Sequence, residues 1–197
     1  MKIAIVGKGN VGSTLGRRWT EAGHAVVFGV RSPQFADEIS VADAVRDSDI
    51  VVLAVPASAL TADLFAPLRL DGKVLVDCTN PIAADFSGVE WDENRSGGQK
   101  VARLAPTARV VKAFNTVGYN VMADPRFGGR AATLLIAGDD VEAKSQVARL
   151  ASDIGFAPDD AGPLSQSRYL EAFAWLWISM ALKQGQGREI VFQLLKR

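Results

Sequence analysis

The chain holds one cysteine, Cys78, and one histidine, His24, in 197 residues. A single thiol excludes an internal disulfide framework and a thiolate zinc cluster, and it fits a reducing compartment. A single imidazole leaves little for histidine-based proton transfer or metal ligation, and no metal site is expected. An excess of one charge is also missing, because 22 Lys+Arg balance 22 Asp+Glu. Proteins that hold duplex nucleic acid through its phosphates usually carry a basic excess, so nucleic acid is not an expected partner. Long apolar runs are absent as well. The longest, Phe173 to Leu182, is about half of a bilayer span, and the Ile3-Ala4-Ile5-Val6 run is too short for a secretory leader. The expectation is a cytoplasmic protein with no membrane contact.

What is present is the composition of a globular domain, 48% hydrophobic and 22% charged, long enough to bury a core without covalent staples. Short apolar runs alternate with helical patterns. Strands are expected at Lys2–Val6, Ala25–Gly29, Asp49–Val55, Lys73–Asp77, Arg109–Phe114 and Thr133–Ala137, with a short one near Phe156–Asp159. Helices are expected at Val11–Ala22, from an Ser40 cap to Arg46, and at Ala57–Pro67, Ser96–Leu104, Asp140–Ile154, Pro163–Lys183 and Gly187–Lys196. Residues 82–95 and the stretch from Asn115 to Gly129 read as loops. This alternation predicts an α/β fold: a doubly wound, mostly parallel sheet covered on both faces, residues 1–160, with a small helical extension over 161–197.

Gly7-Lys8-Gly9-Asn10-Val11-Gly12 follows the first strand directly and opens the first helix. In that context the first glycine makes the tight turn, the second admits a pyrophosphate close to the backbone, and the third lets helix and strand pack. Free N–H groups at the helix start complete an anion site. The motif therefore predicts a Rossmann-type dinucleotide-binding domain. Its second strand ends Phe28-Gly29-Val30-Arg31-Ser32-Pro33, with no acid before Asp37. A site for NAD usually keeps a carboxylate there for the ribose hydroxyls. Arg31 instead attracts a 2′-phosphate through a charge-assisted contact, and Ser32 adds a hydroxyl, so the expected cofactor is NADP(H).

Ligands of open parallel sheets bind beyond the carboxyl ends of the strands. Ala54-Val55-Pro56 is expected beside the adenosine and ribose. Asn80-Pro81 and Asn115-Thr116 end the next two strands and are expected to flank the nicotinamide, where neutral amides can orient an amide or a ribose, or else simply bond their own loops. No residue stands out as an acid–base catalyst. His24 lies in a turn at the amino edge, and Cys78 has no imidazole to activate it. Hydride transfer to a flavin-like acceptor demands alignment of two rings more than proton transfer, and it fits this inventory better than alcohol dehydrogenation does. A non-catalytic NADPH-binding or sensor protein acting through a protein partner is the alternative. The stripe Tyr169, Phe173, Trp175, Leu176, Trp177 and Met180 suggests core or a dimer contact, so a homodimer is expected.

Gly7-Lys8-Gly9-Asn10-Val11-Gly12, Val30-Arg31-Ser32, Phe114-Asn115-Thr116 and Asp160-Ala161-Gly162-Pro163-Leu164-Ser165-Gln166-Ser167-Arg168 occur together in order. With these motifs the chain resembles the coenzyme F420-dependent NADP oxidoreductases, and more distantly the oxidoreductase domain of STEAP metalloreductases. The Asp-Ala-Gly-Pro-Leu-Ser stretch is the most specific part, since no general dinucleotide rule demands it. The resemblance implies hydride exchange between NADP(H) and a deazaflavin such as F420, in a homodimer. It implies that Lys8 to Val11, Val30 and Arg31 hold the NADP phosphates and that Asn115 to Tyr119 lie under the rings. Archaeal members end the site strand His-Thr-Ile-Pro-Ala, where this chain has Asn115-Thr116-Val117-Gly118-Tyr119.

Overall fold

A computed structural model describes residues 1–91 and 95–197. Its central sheet has eight strands in the order β10-β9-β6-β5-β4-β1-β2-β3. They are β1 (Lys2–Val6), β2 (Ala25–Val30), β3 (Glu38–Ser40), β4 (Ile50–Leu53), β5 (Val74–Asp77), β6 (Arg109–Lys112), β9 (Thr133–Gly138) and β10 (Ala157–Gly162). β3 to β6 run in the order 3-2-1-4-5-6 and are all parallel, which is the doubly wound Rossmann arrangement. β9 and β10 are parallel to each other but join antiparallel at β6. The order reverses between β1 and β4, and the crevice at that switch point is where such sheets bind ligands.

The strands are buried on both faces, so they read as continuous apolar runs, and their alternate residues feed two cores. Ile3, Ile5, Ile50, Val52, Val74 and Val76 pack with Leu15 and Trp19 of α1 (Asn10–Glu21) and Val147 and Leu150 of α6 (Val141–Asp153). The Trp19 indole N–H donates to the Leu150 carbonyl at 3.0 Å and so ties α1 to α6. Ala4, Val6, Val51, Leu53 and Leu75 face the other layer. There they meet Ala44 and Val45 of α2 (Val41–Arg46) and Val101 of α4 (Gly97–Leu104). Ser40 caps α2 through the Asp43 N–H, as expected, and Ser96 with Gln99 forms a capping box on α4.

Several expected elements differ. The helix expected over Ala57–Pro67 breaks into a 3-10 turn, Ala57–Ala59, and a single α turn, α3 (Ala62–Phe65). β3 goes unrecognised from sequence because three residues show no period. The expected loop after Asn115 contains α5 (Tyr119–Ala123) and a hairpin of β7 (Arg126–Phe127) and β8 (Arg130–Ala131). Gly128 and Gly129 turn this hairpin with positive φ of 57° and 80°. α7 (Ser167–Ile178) ends in a π turn, Ser179–Lys183. The helix expected over Gly187–Lys196 is not formed. That segment has no regular secondary structure, and its backbone bonds go to side chains of other elements: Trp177 Nε1 to the Ile190 carbonyl at 2.8 Å, and the Leu194 N–H to Thr133 Oγ1 at 2.9 Å. Of the loop expected over 82–95, residues 92–94 lie outside the described part; Ile82 and Val89 form one antiparallel bridge. No helix among the described residues is long and apolar enough to cross a membrane.

Candidate functional site

The turn after β1 is built by close approach. Gly7 has φ 101°, a left-handed value that suits glycine, and a Cβ there would sit 2.6 Å from the Ala54 carbonyl oxygen. A Cβ on Gly12 would sit 2.2 Å from the Gly7 oxygen, so α1 packs on the turn only because position 12 has no side chain. Gly9 differs: a Cβ there meets nothing within 4 Å. Its side-chain direction opens into empty space at the α1 N-terminus, which has neither a side-chain cap nor an acid in its first turn. The leading N–H groups of α1 are therefore left for a ligand.

Two adjoining cavities share Gly9, Ala54, Val55 and Pro56. The larger, about 940 Å³, runs over the ends of β1, β2 and β4. Of the expected site residues it takes Gly7, Lys8, Gly9, Val30, Arg31, Ala54, Val55 and Pro56, and it adds Ser58, Thr61 and Asp63. The smaller, about 310 Å³, takes Asn10, Val11 and Tyr119 and adds Cys78 and Arg188. Ser32, Asn80, Pro81, Asn115 and Thr116 line neither cavity. Thr116 faces a separate apolar cavity of about 190 Å³ with Val117, Phe173, Phe192 and Leu194.

The charges around the larger cavity are sorted. Lys8 Nζ donates to Asp37 at 2.8 Å and to Glu38 at 2.9 Å, beside the Phe28 and Phe35 rings. The Lys8 hydrogen bond holds the Asp37 and Glu38 carboxyls below their usual range, and the same contacts raise the lysine. Neither acid lines the cavity. Arg31 is exposed and makes no hydrogen bond or ion pair among the described residues, which leaves its planar donors free.

At the other end, β5 and β6 stop over a fully buried ion network. Lys112 Nζ contacts Asp77 Oδ2 at 2.9 Å, Glu171 Oε1 at 3.0 Å and the Thr79 carbonyl at 2.5 Å. Burial alone would pull this lysine down, but Coulomb attraction and hydrogen bonds from Asp77 and Glu171 together hold it above the usual lysine range. Glu171, on α7, also accepts from the Gly97 and Gly98 N–H groups at the start of α4 and from the Trp91 indole. Lys112 thus anchors the Thr79 turn from below. Above it, Asn80 donates to the Asn115 carbonyl at 2.7 Å, and Asn115 donates to Asn80 Oδ1 at 3.0 Å. Phe114, at φ 63°, turns the chain so that Asn115 meets Asn80; its ring stacks edgewise on Trp19 and Phe156. Two buried acceptors in this turn, Asn115 Oδ1 and Thr79 Oγ1, lack a protein partner.

His24 contacts Asp153 at 3.0 Å and sits before β2, at the amino end of the strands and away from the cavities. Burial pushes the Cys78 thiol up, which keeps it protonated. Sequence reasoning missed Arg188, Ser58, Thr61 and the Lys112 network. The residues after β4 were within reach of the strand-end rule. Arg188, Asp77 and Glu171 carry no local signal, since only the folded chain brings them to the site.

The comparisons with known proteins agree with this geometry. Residues 2–81 match the family described as NADP oxidoreductase, coenzyme F420-dependent. The chain is 32% identical over 180 residues to the Rattus norvegicus metalloreductase STEAP3, covering 87% of this chain and 36% of that protein. It spans about a third of the length of the curated metalloreductases it matches. A crystal structure from Arthrobacter sp., provisionally named an F420-dependent NADP-reductase, superposes with TM-score 0.86 at 29% identity over 100% of both chains. A hypothetical protein of Sinorhizobium meliloti gives TM-score 0.76 at 32% identity, covering 100% of this chain and 96% of that one. By its glycine turn, its sheet order and these matches, the chain is similar to the NADP-dependent oxidoreductases, its residues 2–81 matching the coenzyme F420-dependent type.

Proposed function

We propose that the protein binds NADP(H) across the two cavities and passes hydride between its nicotinamide and a flavin-like or deazaflavin acceptor such as F420. The observation that carries this reading is an unengaged Arg31 guanidinium on the larger cavity, at the end of a strand whose following acids, Asp37 and Glu38, are tied to Lys8. A 2′-phosphate meets a free fork of donors there; the acids that follow β2, Asp37 and Glu38, are held by Lys8, and Asp63 of α3 is the carboxylate that lines the cavity. The space above Gly9 and the open N–H groups of α1 suit the pyrophosphate. Ala54, Val55 and Pro56 form the apolar floor that carries the cofactor from one cavity to the other.

When bound, NADPH supplies the hydride. The chain's own part is placement. Tyr119 and Cys78 bound the nicotinamide end, and the Asn80–Asn115 pair stiffens the turn beside it. Holding two rings in register supplies most of what such a transfer needs. We further assign the protein to the cytoplasm and to a homodimer built on the exposed apolar residues of α7 and the C-terminal segment, among them Tyr169, Leu176 and Leu195.

Calorimetric titration tests the cofactor assignment. Wild type should bind NADPH more tightly than NADH, and Arg31→Ala should weaken NADPH about tenfold while leaving NADH unchanged. Equal loss for both coenzymes, or none, removes the 2′-phosphate role. Loss of nicotinamide absorbance with F420, FMN, FAD or ferric chelates then identifies the acceptor. Tight NADPH binding with no turnover on any of them would favour a binding-only protein.

A further inference from the structure

The C-terminal segment beyond α7 returns to the site, and it carries a cation with it. After the π turn the chain reverses through Gly185 and Gly187, at φ 70° and 79°. It then runs back over α5 and α7. Asn120 Nδ2 donates to the Arg188 carbonyl at 2.8 Å and to the Glu189 carboxylate, which occupies that acid away from its neighbour. Trp177 holds the Ile190 carbonyl, and the Phe192 ring stacks on Phe173 at 4.6 Å. These contacts fix the backbone on either side of Arg188 and leave its side chain against the smaller cavity, 5.8 Å over the Tyr119 ring.

Arg188 is the one charged residue lining that cavity, and its guanidinium makes no hydrogen bond or ion pair among the described residues. Across the same cavity lie Gly9, Asn10 and Val11, the uncapped start of α1. Two positive poles therefore face one space that no carboxylate lines. Neither pole has a hydrogen-bond or ion-pair partner among the described residues, the guanidinium having only the Tyr119 ring beside it, and a planar guanidinium set opposite a row of backbone N–H groups matches a tetrahedral oxyanion held from two sides. We infer that Arg188 is a phosphate-binding residue, which closes the site by clamping a phosphoryl group against the α1 N-terminus. That group belongs either to the dinucleotide's pyrophosphate or to a phosphate on the hydride acceptor. The assignment deepens the NADP(H) reading and rests on it.

Arg188 is exposed, so Arg188→Gln and Arg188→Lys should fold with unchanged melting temperature. Three titrations on each full-length variant decide the matter: NADPH, FMN against riboflavin, and inorganic pyrophosphate. A roughly tenfold weaker NADPH affinity in Arg188→Gln, partly restored in Arg188→Lys, assigns the residue to the cofactor's pyrophosphate. Unchanged NADPH affinity with loss of the preference for FMN over riboflavin assigns it to the acceptor's phosphate. Both outcomes uphold the clamp. Wild type and Arg188→Gln alike in all three titrations overturn it and leave the NADP(H) reading standing. If wild type binds no NADPH, that reading fails first. Pyrophosphate and FMN then still judge Arg188: weaker binding of either by Arg188→Gln supports the clamp, and equal or absent binding overturns it.

Discussion

Replacing Lys112 by methionine should be among the most damaging single changes in this protein. The ammonium is fully buried and places its three N–H groups on Asp77, Glu171 and the Thr79 carbonyl. Methionine fills a similar volume but leaves two carboxylates and a carbonyl without their shared donor. Glu171 retains the Gly97, Gly98 and Trp91 donors, whereas among the described residues Asp77 retains only the Thr79 N–H. Breaking a buried ion pair by removing one partner costs about 3–5 kcal/mol. At about 2–4 °C per kcal/mol for a domain of this size, the melting temperature should fall by about 6–20 °C. Adding Asp77→Asn removes the most poorly compensated charge. The double variant should therefore melt above Lys112→Met alone, with a coupling energy of about 0.5–3 kcal/mol in the mutant cycle. The sign of the pH dependence is also set. Because the folded protein raises the Lys112 pKa, its contribution is complete below the unfolded lysine value of about 10.4 and is lost only as pH rises through the still higher folded value. The deficit of Lys112→Met should thus persist up to about pH 9. Differential scanning calorimetry of the four proteins checks this. A loss below about 2 °C for Lys112→Met, or a double variant less stable than the single, would refute the reasoning.

Two further expectations separate folding from binding and test assembly. Gly9→Val should fold with a near-normal melting temperature, since its side chain meets open space, yet lose NADPH affinity at least tenfold. Gly12→Ala places a methyl group 2.2 Å from the Gly7 oxygen and should destabilise the fold by about 1–3 kcal/mol; the reverse ranking of the two melting temperatures would contradict the roles given to these glycines. Light scattering at micromolar protein should return the mass of a dimer, and Leu176→Asp together with Tyr169→Asp should shift it toward monomer; a monomeric wild type would remove the homodimer assignment.

β1, β2, β4, the glycine turn, α1, the Ser40 cap and α6 are legible in the sequence because each is set by local rules. An apolar run buried on both faces, a glycine with no room for a Cβ, and a side-chain oxygen at a helix start act within a few residues of themselves. The proposed cofactor choice rests on the same kind of local rule, for it turns on whether a base or an acid ends β2. Tertiary structure decided the rest. β3 and α5 are too short to show a period, and they exist because β2 and α1 offer them partners. The antiparallel entry of β9 has no sequence mark. The pattern of Gly187 to Lys196 reads as helical, but Trp177 and Thr133 offer its backbone other bonds and the chain takes an irregular path instead. Glu171 meets Lys112 across 59 positions, and Arg188 reaches the glycine turn from the far end of the chain. Such pairs have no local propensity behind them; they form only after the apolar cores have fixed the elements that carry them, because the cost of closing a long loop must first be met by burial.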